Sequence, residues 1–583
     1  MRKTKIVCTL GPSTNSPEII RQLMLAGMNV ARFNFSHGDH ESHKATFDIV
    51  KQCREKLSLP VATMLDTQGP EIRIRTFKEG KAELKAGEIF TLTTRELEGS
   101  GEIVSISYKD LPKDVSSSSA ILIDDGLIAL TVERVTETDI ICKIRNGGVI
   151  SNRKSVNVPS VHLSMPYLSE KDKGDLLFGI ETGFDYIAAS FARSAEDVWQ
   201  IRQLLRENKA EHIKIIAKIE NYEGVENIEG ILNVADGLMV ARGDLGVEVP
   251  FEDIPAIQKK LIKKTFLSGK PVITATQMLD SMIKNPRPTR AEATDVANAI
   301  YDGTSAIMLS GETAAGAYPI EAVRTMEKIT LKTEADINYR KKFYQQSESI
   351  DFQSSVTEAI SHATCTTAYD LGAKAVITVT KSGTTARMIS KYRPSMPIMG
   401  CTPVPVVYRQ LSLTWGVVPV MVENMTDSEK LFKHAVEMSE KTGALRSGDL
   451  VVITAGLPLG YSGTTNMLRV FITGDILTSG TGIGSKVVCA NLCVVDKMED
   501  LESEFNDGDI IVIPKTGAEL LPYMRRASGV IAEEGGHNSY AAIAGSVLDI
   551  PVIIGAHGAT QVLKKNTTVT LDSGKGIVHN RVK

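Results

Sequence analysis

The stretch KIIAKIENYEGVENIEGILNVADGLMVAR, residues 214–242, decides the fold of this chain. Two short apolar runs, KIIAKIE and DGLMVAR, lie on either side of a segment of helix length. Strands that alternate with helices pair in parallel. The chain has eight such runs before residue 340, at residues 3–10, 29–37, 61–67, 185–191, 214–220, 236–242, 271–276 and 305–312. Eight units of this kind predict a closed (β/α)8 barrel.

One long interruption breaks this repeat. After Thr67 the next barrel-like run begins near Asp185, and residues 70–167 alternate Val, Ile and Thr with turns rich in Gly and Asp. Such alternation predicts a small inserted β-barrel domain with antiparallel strands. Because the insert leaves the barrel at the carboxyl end of a strand, where barrel active sites lie, we expect it to act as a lid. The predicted catalytic barrel then comprises residues 1–69 and 168–340.

Three further regions follow the barrel. Residues 341–472 contain four apolar runs separated by helical patterns and predict an open α/β domain. Residues 473–484 are rich in Gly, Ser and Thr and predict a flexible linker. Residues 485–583 predict a compact α/β tail domain. The expected fold class is therefore α/β with several domains, as a chain of 583 residues requires.

The composition excludes several classes of protein. A formal net charge of −4 gives no overall bias toward nucleic acid. No apolar run reaches the 18 residues or so of a membrane span, and the first run, Ile6–Leu10, is too short for a secretory signal. The seven cysteines are scattered, which favours reduced thiols. We therefore expect a cytoplasmic protein that binds neither nucleic acid nor membrane.

Polar residues cluster where the predicted barrel strands end, which is the side of such barrels that carries active sites. The fifth strand carries Lys218 and Glu220 two positions apart, so both side chains face the same way. Glu220 and Asp244 lie on neighbouring strands, about 5 Å apart. Two carboxylates at that spacing suit a hard cation such as Mg²⁺ or Mn²⁺. The other polar strand ends include Arg32, Asn34, Ser36, Asp66, Thr67, Arg242 and Thr276.

Any single charge among these could be a solvated strand end or one half of a local ion pair. That interpretation does not suit the whole set, because charges inside a parallel barrel are costly unless they are paired or bind ions. Arg32, Arg73 and Lys218 could surround an anion. A divalent cation beside such a cationic clamp is the equipment of phosphoryl transfer.

Eight motifs, in their order along the chain, resemble the pyruvate kinase family. They are TKIVCTLGPS (4–13), ARFNFSHG (31–38), LDTQGPEIR (65–73), IIAKIENYEGVENI (215–228), ARGDLG (241–246), ATQMLDSM (275–282), PTRAEATDVANA (288–299) and LSGETAAGAYP (309–319). The resemblance spans residues 1–472. It implies transfer of the phosphoryl group of phosphoenolpyruvate to ADP, giving pyruvate and ATP, and a homotetramer.

The resemblance also implies roles for the rim residues. Lys218 would stabilise the transferring phosphoryl group, while Glu220 and Asp244 would hold Mg²⁺ or Mn²⁺. Gly243 and Asp244 would offer backbone N–H groups to the substrate carboxylate. Thr276 would belong to the proton-donating network, through a water because a hydroxyl is too weak an acid.

Further substrate contacts are implied beside these. Arg32 and Arg73 resemble the phosphate-binding arginines of the family. The residues expected beside the nucleotide are Arg73, His37, Asp125 and Lys154. The implied K⁺ ligands are Asn34, Ser36, Asp66 and Thr67. Glu71 further implies K⁺ dependence, since K⁺-independent relatives carry Lys at that position.

A second anion site is predicted in the α/β domain. The segment TKSGTTAR (380–387) follows a strand and opens a helix, where hydroxyls and free N–H groups attract anions. An ordinary capped helix is the alternative interpretation. The resemblance favours a phosphorylated effector, either a sugar phosphate or a nucleotide monophosphate. The residues concerned are Thr380, Ser382, Gly383, Thr384 and Thr385, with Gly463-Thr464-Thr465 as a possible completion.

The tail segment GGHNSYAA (535–542) resembles the phosphohistidine swivelling domain of phosphoenolpyruvate-utilising enzymes. In that family motif Ser-His follows two residues after the glycine pair. Here Ser539 matches the serine, and Tyr540 occupies the histidine position. A phenol, whose pKa is near 10, replaces poorly an imidazole, whose pKa is near 6.5. His537 lies three residues earlier and in a helix would share a face with Tyr540.

Three hypotheses follow. The first is a pyruvate kinase whose tail serves packing, assembly or regulation. The second is a dikinase-like transferase that relays phosphate through the tail. The third is a catalytically silent scaffold on the same fold, which would require loss of ion or phosphate ligands. Lys218, Glu220, Asp244, Arg73 and Thr276 are all present, which favours the first.

Overall fold

The computed structural model describes residues 1–349, 355–446, 449–457, 465–474 and 476–580. The chain divides into two compact units. The first comprises Met1–His362, Thr380–Met421 and Gly456–Thr465, and the second comprises Ala363–Val379, Val422–Ala455 and Asn466–Lys583. Within the described ranges, no helix is both long and apolar enough to cross a membrane.

The predicted (β/α)8 barrel is confirmed in the first unit. Its eight strands pair in parallel and close into a ring, with the first strand between the second and the eighth. Their residues are almost all buried, as both faces of a parallel barrel are covered. The strands are Lys5–Thr9, Val30–Asn34, Ala62–Asp66, Tyr186–Ala189, Lys214–Ile219, Gly237–Ala241, Val272–Ala275 and Ala306–Leu309.

Local capping sets where the surrounding helices begin and end. Ser169, Ser194 and Thr289 each accept a hydrogen bond from a backbone N–H in the first turn, and Gly303 ends its helix in the left-handed conformation. The helices of this region are Pro17–Leu25, His40–Leu57, Glu170–Thr182, Ala195–Glu207, Tyr222–Glu226, Ile228–Val234, Arg242–Glu248, Ile254–Leu267, Arg290–Asp302, Gly311–Ala314, Pro319–Asp336 and Tyr339–Ser349, with 3-10 turns at Pro12–Thr14, Phe251–Asp253 and Asp280–Ile283.

The insert is a separate, mainly antiparallel β domain. It contains a seven-stranded sheet and a two-stranded sheet around an apolar core that includes Phe90, Leu92 and Ile121. Its strands are Ile72–Arg73, Lys81–Leu84, Ile89–Thr93, Ile103–Ser105, Ala120–Ile123, Ile128–Val135, Asp139–Ile144, Gly148–Ser151 and Ser155–Asn157, with one short helix, Leu111–Asp114. The insert departs after the third barrel strand, at the carboxyl rim.

The following α/β region contributes to both units. In the first unit Ile398–Thr402 pairs in parallel with Val417–Met421, and in the second Ala375–Val379 pairs in parallel with Leu450–Gly456. These four strands match the four predicted runs. A further strand, Thr465–Ile472, was not predicted. The helices are Val356–Asp370, Thr384–Lys391, Pro405–Gln410 and Ser428–Lys441, with a 3-10 turn at Leu411–Leu413.

The tail forms an eight-stranded sheet within the second unit. Buried apolar side chains, such as Ile511, Val530 and Val552, pack on its faces. Its strands are Ile476–Ser479, Thr481–Ile483, Val487–Val494, Ile510–Ile513, Gly529–Ala532, Val552–Ile554, Thr568–Asp572 and Ile577–Asn580. Its helices are Leu501–Glu504, Leu521–Met524, Tyr540–Leu548 and Ala559–Val562, with 3-10 turns at Met498–Asp500 and Ala518–Leu520.

The predicted linker, residues 473–484, needs correction. Ile476–Ser479 and Thr481–Ile483 are edge strands of the tail sheet. A Cβ atom on Gly482 would lie 1.7 Å from the carbonyl oxygen of Ser573, so glycine is required there for close backbone approach. The glycines of this segment therefore serve packing, which composition alone does not distinguish from flexibility.

Candidate active site

Lys218 is the centre of a buried polar cluster at the carboxyl rim of the barrel. Its Nζ lies 2.9 Å from Asp66 Oδ1, 2.7 Å from Ser190 Oγ and 3.1 Å from Glu220 Oε1. The residue is 8% exposed. Burial opposes the positive charge, but the carboxylates of Asp66 and Glu220 outweigh it and raise the pKa of Lys218. The ammonium is therefore held charged away from bulk water.

Asp66 joins this lysine to a second cation. Arg32 Nε donates to Asp66 Oδ2 at 2.6 Å, and Arg32 Nη1 donates to Thr9 Oγ1 at 2.9 Å. Burial raises the pKa of Asp66, but Arg32 and Lys218 outweigh burial and lower it overall. The result is a buried row of cation, carboxylate and cation, with both cations fixed at the rim.

For Glu220, unlike Asp66, the effect of burial on the pKa outweighs that of the neighbouring cation. Its Oε2 accepts a 2.6 Å hydrogen bond from the Phe191 N–H. Burial raises the pKa of Glu220 to about 7; Lys218 partly offsets this, and the nearby charge of Asp244 adds to it. A carboxylate pair under this repulsion is stabilised by a bound cation.

Asp244 faces a cavity of about 450 Å³ between the rim and the lid. Six of its lining residues carry carboxylates: Glu71, Asp125, Glu223, Glu226, Asp244 and Glu248. Among the described residues, no group of three or more His, Cys, Asp or Glu side chains has metal-site geometry. Glu220 and Asp244 could therefore supply only part of a cation's coordination, which leaves positions for substrate oxygens and water.

Thr276 follows the seventh barrel strand in a strained backbone conformation. Its φ is +68°, and a β-branched residue in the left-handed region is an outlier that the surroundings must hold. The Thr276 hydroxyl accepts from the Gly243 N–H at 2.7 Å and donates to the Ala275 carbonyl at 2.6 Å. Arg242 donates to the Thr276 carbonyl at 2.7 Å. Thr276 and Gly243 thus form one fixed corner of the site.

The four residues expected at the K⁺ site end or follow the second and third barrel strands, which are neighbours in the ring. Asn34 lies opposite Asp66 in the strand register. Asn34 Oδ1 accepts from the Ser36 N–H at 3.1 Å. Thr67 Oγ1 contacts the carbonyl of Ala188 at 3.3 Å. Of the four, Asp66 pairs with Lys218 at 2.9 Å.

The residues expected beside the nucleotide are more dispersed. Arg73 pairs with Glu71 at 2.8 Å and donates to the Arg153 carbonyl at 2.7 Å. His37 is exposed just beyond the second barrel strand. In the lid, the remaining two contact neighbours of their own: Ser155 Oγ donates to Asp125 Oδ1 at 3.0 Å, and Lys154 pairs with Asp124 at 2.9 Å. Only Asp125 of these lines the cavity.

Known proteins resemble this chain over its whole length. Residues 1–323 match the family described as "Pyruvate kinase, barrel domain", and residues 358–471 match "Pyruvate kinase, alpha/beta domain". The pyruvate kinase of Geobacillus stearothermophilus is 49% identical over 580 residues, covering 99% of this chain and 98% of that protein. The pyruvate kinase of Bacillus licheniformis is 48% identical over 581 residues, covering 99% of each.

This chain belongs to the pyruvate kinase family. It is therefore an enzyme, a transferase of the kinase type. A solved pyruvate kinase from Cryptosporidium parvum superposes with a TM-score of 0.77 at 41% identity, covering 81% of this chain and 96% of that one. The predicted likeness of the tail is confirmed as well, since residues 505–576 match "PEP-utilising enzyme, mobile domain".

The predicted effector loop of this pyruvate kinase family member is ordered by its own hydroxyls. Thr380 Oγ1 accepts from the Gly383 N–H at 3.0 Å, and the Ser382 and Thr384 hydroxyls lie 3.0 Å apart. Arg387 donates to Thr384 Oγ1 at 3.1 Å. Thr385 Oγ1 lies 2.8 Å from Thr465 Oγ1. Gly463 and Thr464, the other residues of the expected completion, lie outside the described residues.

In the tail segment that resembles the phosphohistidine motif, Ser539 and Tyr540 have structural contacts. Ser539 caps the helix Tyr540–Leu548 by accepting from the Ala542 N–H, and the Tyr540 ring packs against the tail core. His537 is exposed in the turn before this helix. The expectation that His537 and Tyr540 share a helix face is therefore wrong, because the helix begins only at Tyr540.

Two residues that hold the centre of the site were not predicted. Ser190 and Phe191 directly follow the fourth barrel strand, and they contact Lys218 and Glu220. Ser190 satisfies the rule by which the other rim residues were chosen, a polar residue at a strand end. Phe191 acts through its backbone, so its side-chain type carries no signal.

Proposed function

We propose that this enzyme transfers the phosphoryl group of phosphoenolpyruvate to ADP, giving pyruvate and ATP. The observation that carries the proposal is the buried Lys218 ammonium beside Arg32, Asp66 and Glu220 at the barrel rim. Phosphoryl transfer is accelerated mainly by positioning and by charge stabilisation, and fixed cations at a water-poor rim supply both.

The chain's own residues divide this work. Lys218 stabilises charge on the phosphoryl group as it moves, and Arg32 and Arg73 bind the phosphate. Gly243 and Asp244 orient the substrate carboxylate through backbone N–H groups. Thr276 holds a water that delivers the proton to the enolate carbon.

Glu220 and Asp244 are the residues that would hold Mg²⁺ or Mn²⁺. The fit is supported by their hard oxygen donors and by the raised pKa of Glu220, to which burial contributes most and the charge of Asp244 adds. When bound, the ion supplies Lewis-acid polarisation of phosphoryl oxygens. The chain holds these carboxylates in place through the Phe191 N–H, which donates to Glu220, and through the helix Arg242–Glu248, which carries Asp244.

Asn34, Ser36, Asp66 and Thr67 are proposed to hold K⁺. Their donors are all oxygens, and only one of them carries a full charge, which suits a monovalent cation. Glu71 supports the same proposal, because its carboxylate leaves no ammonium at that place to substitute for the ion.

The nucleotide and the effector are assigned to separate places. ADP is proposed to bind in the 450 Å³ cavity between rim and lid, which Asp125 lines. His37, Lys154 and Arg73 do not line this cavity and are proposed to contact parts of the nucleotide that extend beyond it. A phosphorylated effector is proposed to bind the hydroxyl-rich loop at Thr380, Ser382, Gly383, Thr384 and Thr385. By family likeness the enzyme is proposed to be a cytoplasmic homotetramer.

A coupled assay tests the proposal. Pyruvate formation from phosphoenolpyruvate and ADP is followed with and without Mg²⁺ and with and without K⁺. We expect turnover that requires the divalent ion and is strongly increased by K⁺. An absence of pyruvate under every ion condition would overturn the proposed reaction, and full activity without K⁺ would overturn only the K⁺ site.

A further inference from the structure

Ser190 occupies a central place among the buried groups of the rim. It follows the fourth barrel strand directly and is 1% exposed. Its hydroxyl lies 2.7 Å from Lys218 Nζ, 2.7 Å from the Thr67 carbonyl oxygen and 3.1 Å from Asp66 Oδ1. One small hydroxyl therefore touches three different rim residues.

The hydrogen-bonding capacity of a hydroxyl fixes the direction of these contacts. A serine has one donor and two acceptor lone pairs. Lys218 can only donate, so the serine oxygen accepts from it. The single O–H of Ser190 is then directed to the Thr67 carbonyl, the shorter of the two remaining contacts. Lys218 consequently faces an oxygen whose own proton points away from it.

The ammonium of Lys218 has three charged or polar neighbours. It donates to Asp66 Oδ1 at 2.9 Å and to Ser190 Oγ at 2.7 Å, and it forms an ion pair with Glu220 Oε1 at 3.1 Å. Two of these, Asp66 and Ser190, also contact each other. These two acceptors fix the direction of two N–H bonds of Lys218, while Glu220, the most distant of the three, contributes its negative charge.

The turn that carries Ser190 is itself rigid. A Cβ atom on Gly69 would lie 2.9 Å from Ser190 Cβ, so the two segments are in close contact. The Tyr167 hydroxyl donates to the Ser190 carbonyl at 3.1 Å. Phe191, the next residue, has φ +53° and directs its N–H to Glu220. A left-handed non-glycine residue beside a functional group is a typical sign of a held conformation.

We propose that Ser190 is a positioning residue that fixes the direction of the Lys218 ammonium for phosphoryl transfer. This inference rests on the proposed function of Lys218. Without the hydroxyl, Lys218 keeps its charge and its pair with Asp66 but gains freedom to rotate about its last bonds. A displacement of that kind weakens stabilisation of the moving phosphoryl group more than it weakens binding of the substrate.

Ser190→Ala removes the hydroxyl and retains Cβ, so the packing against Gly69 is preserved. We expect kcat to fall about 10- to 100-fold, while KM for phosphoenolpyruvate changes less than about twofold. Ser194→Ala is the control, because it removes a serine hydroxyl four residues later that caps the helix Ala195–Glu207 and does not contact Lys218. We expect that variant to keep kcat within about twofold of the unmodified enzyme.

A double-mutant cycle separates positioning from a general structural role. In the Lys218→Met background, Ser190→Ala is expected to lower kcat by less than about twofold, because the group it positions is already absent. Equal factors in both backgrounds would overturn the proposal, as would an unchanged kcat in the single variant. Should Ser190→Ala not fold, judged by its thermal unfolding curve, Ser190→Cys serves the same cycle with nearly the same side-chain volume.

The unmodified enzyme is assayed in parallel. If it forms no pyruvate from phosphoenolpyruvate and ADP, the proposed function fails. If it is active while Ser190→Ala is as active, the proposed function stands and the role of Ser190 fails.

Discussion

The barrel rim and the tail domain both place carboxylates directly after a buried parallel strand, but they use them differently. At the rim, Glu220 receives one backbone N–H and turns its other oxygen to the Lys218 ammonium. In the tail, Glu533 accepts from the Thr560 backbone and Glu534 accepts from the Thr516 backbone, both at 2.8 Å. The rim brings buried charges of both signs into contact, whereas the tail uses its carboxylates to hold loops.

The rim and the tail also differ in the surroundings of the residue at which phosphate chemistry would be expected, Lys218 in the rim and Tyr540 in the tail. Lys218 is surrounded by three polar groups, while Tyr540 begins a helix and packs against apolar side chains. A strand end followed by a helix is therefore insufficient for chemistry. A cation held by buried counter-charges is the distinguishing feature.

If the rim performs the transfer, removing its central cation has the largest effect. Lys218→Met is expected to lower kcat on the order of 10²–10³-fold or more, because a preorganised charge that acts on the transition state is lost. Steady-state pyruvate formation measures this. Lys214→Met is the matched control, since Lys214 lies on the same strand and pairs with Asp236 away from the cluster. A variant that retains full kcat without Lys218 would contradict the assignment.

The dependence of kcat on K⁺ is expected to change when Glu71 is replaced. Removing K⁺ should lower kcat of the unmodified enzyme at least about tenfold, which is about 1.4 kcal/mol in the barrier. In Glu71→Lys, kcat with K⁺ and kcat without K⁺ should be nearly equal, because the lysine ammonium replaces the charge of the K⁺ ion. Glu226→Lys, which changes the same charge on the same cavity wall, should keep the K⁺ dependence. If Glu71→Lys and the unmodified enzyme depended equally on K⁺, the proposed role of Glu71 in K⁺ dependence would be wrong.

A substitution that destabilises the tail domain should leave the catalytic rate at the barrel rim unchanged. Gly482→Ala forces a Cβ against the Ser573 carbonyl and is expected to destabilise the tail by about 1–3 kcal/mol. Denaturant unfolding measures this, and kcat at 25 °C should stay within about twofold. Ser485→Ala, at an exposed position three residues later, should change stability by less than about 0.5 kcal/mol. An unchanged unfolding curve for Gly482→Ala would restore the interpretation of this segment as a flexible linker.

Restoring the missing histidine should have the smallest effect. Tyr540→His places an imidazole at the family position, but the packing and the capped helix around it remain. We expect no acid-labile phosphate on the protein after incubation with phosphoenolpyruvate, and kcat within about twofold. Phosphorus NMR of the incubated variant checks this. A phosphohistidine signal would show that the tail retains a working relay geometry.

Most of the barrel and its rim could be predicted because two local features of the sequence mark them. Apolar runs give the strands, and polar residues at their ends, such as Lys218 and Glu220, give the site. Phe191 could not be found this way, since its contribution is a backbone N–H. The dispersion of Arg73 and Lys154 depends on how the lid packs, which local sequence does not record. The segment 473–484 was misassigned because glycine permits both flexibility and close approach.

We propose that the rim alone carries the phosphoryl group and that the tail histidine motif does not. This is tested by measuring kcat for pyruvate formation by the full-length double variant His537→Ala/Tyr540→Phe. Both groups that could receive phosphate in the motif are then absent, while the helix cap at Ser539 is intact. We expect a kcat within about twofold of that of the unmodified enzyme. Loss of turnover in this variant, with an unchanged unfolding curve, would contradict it.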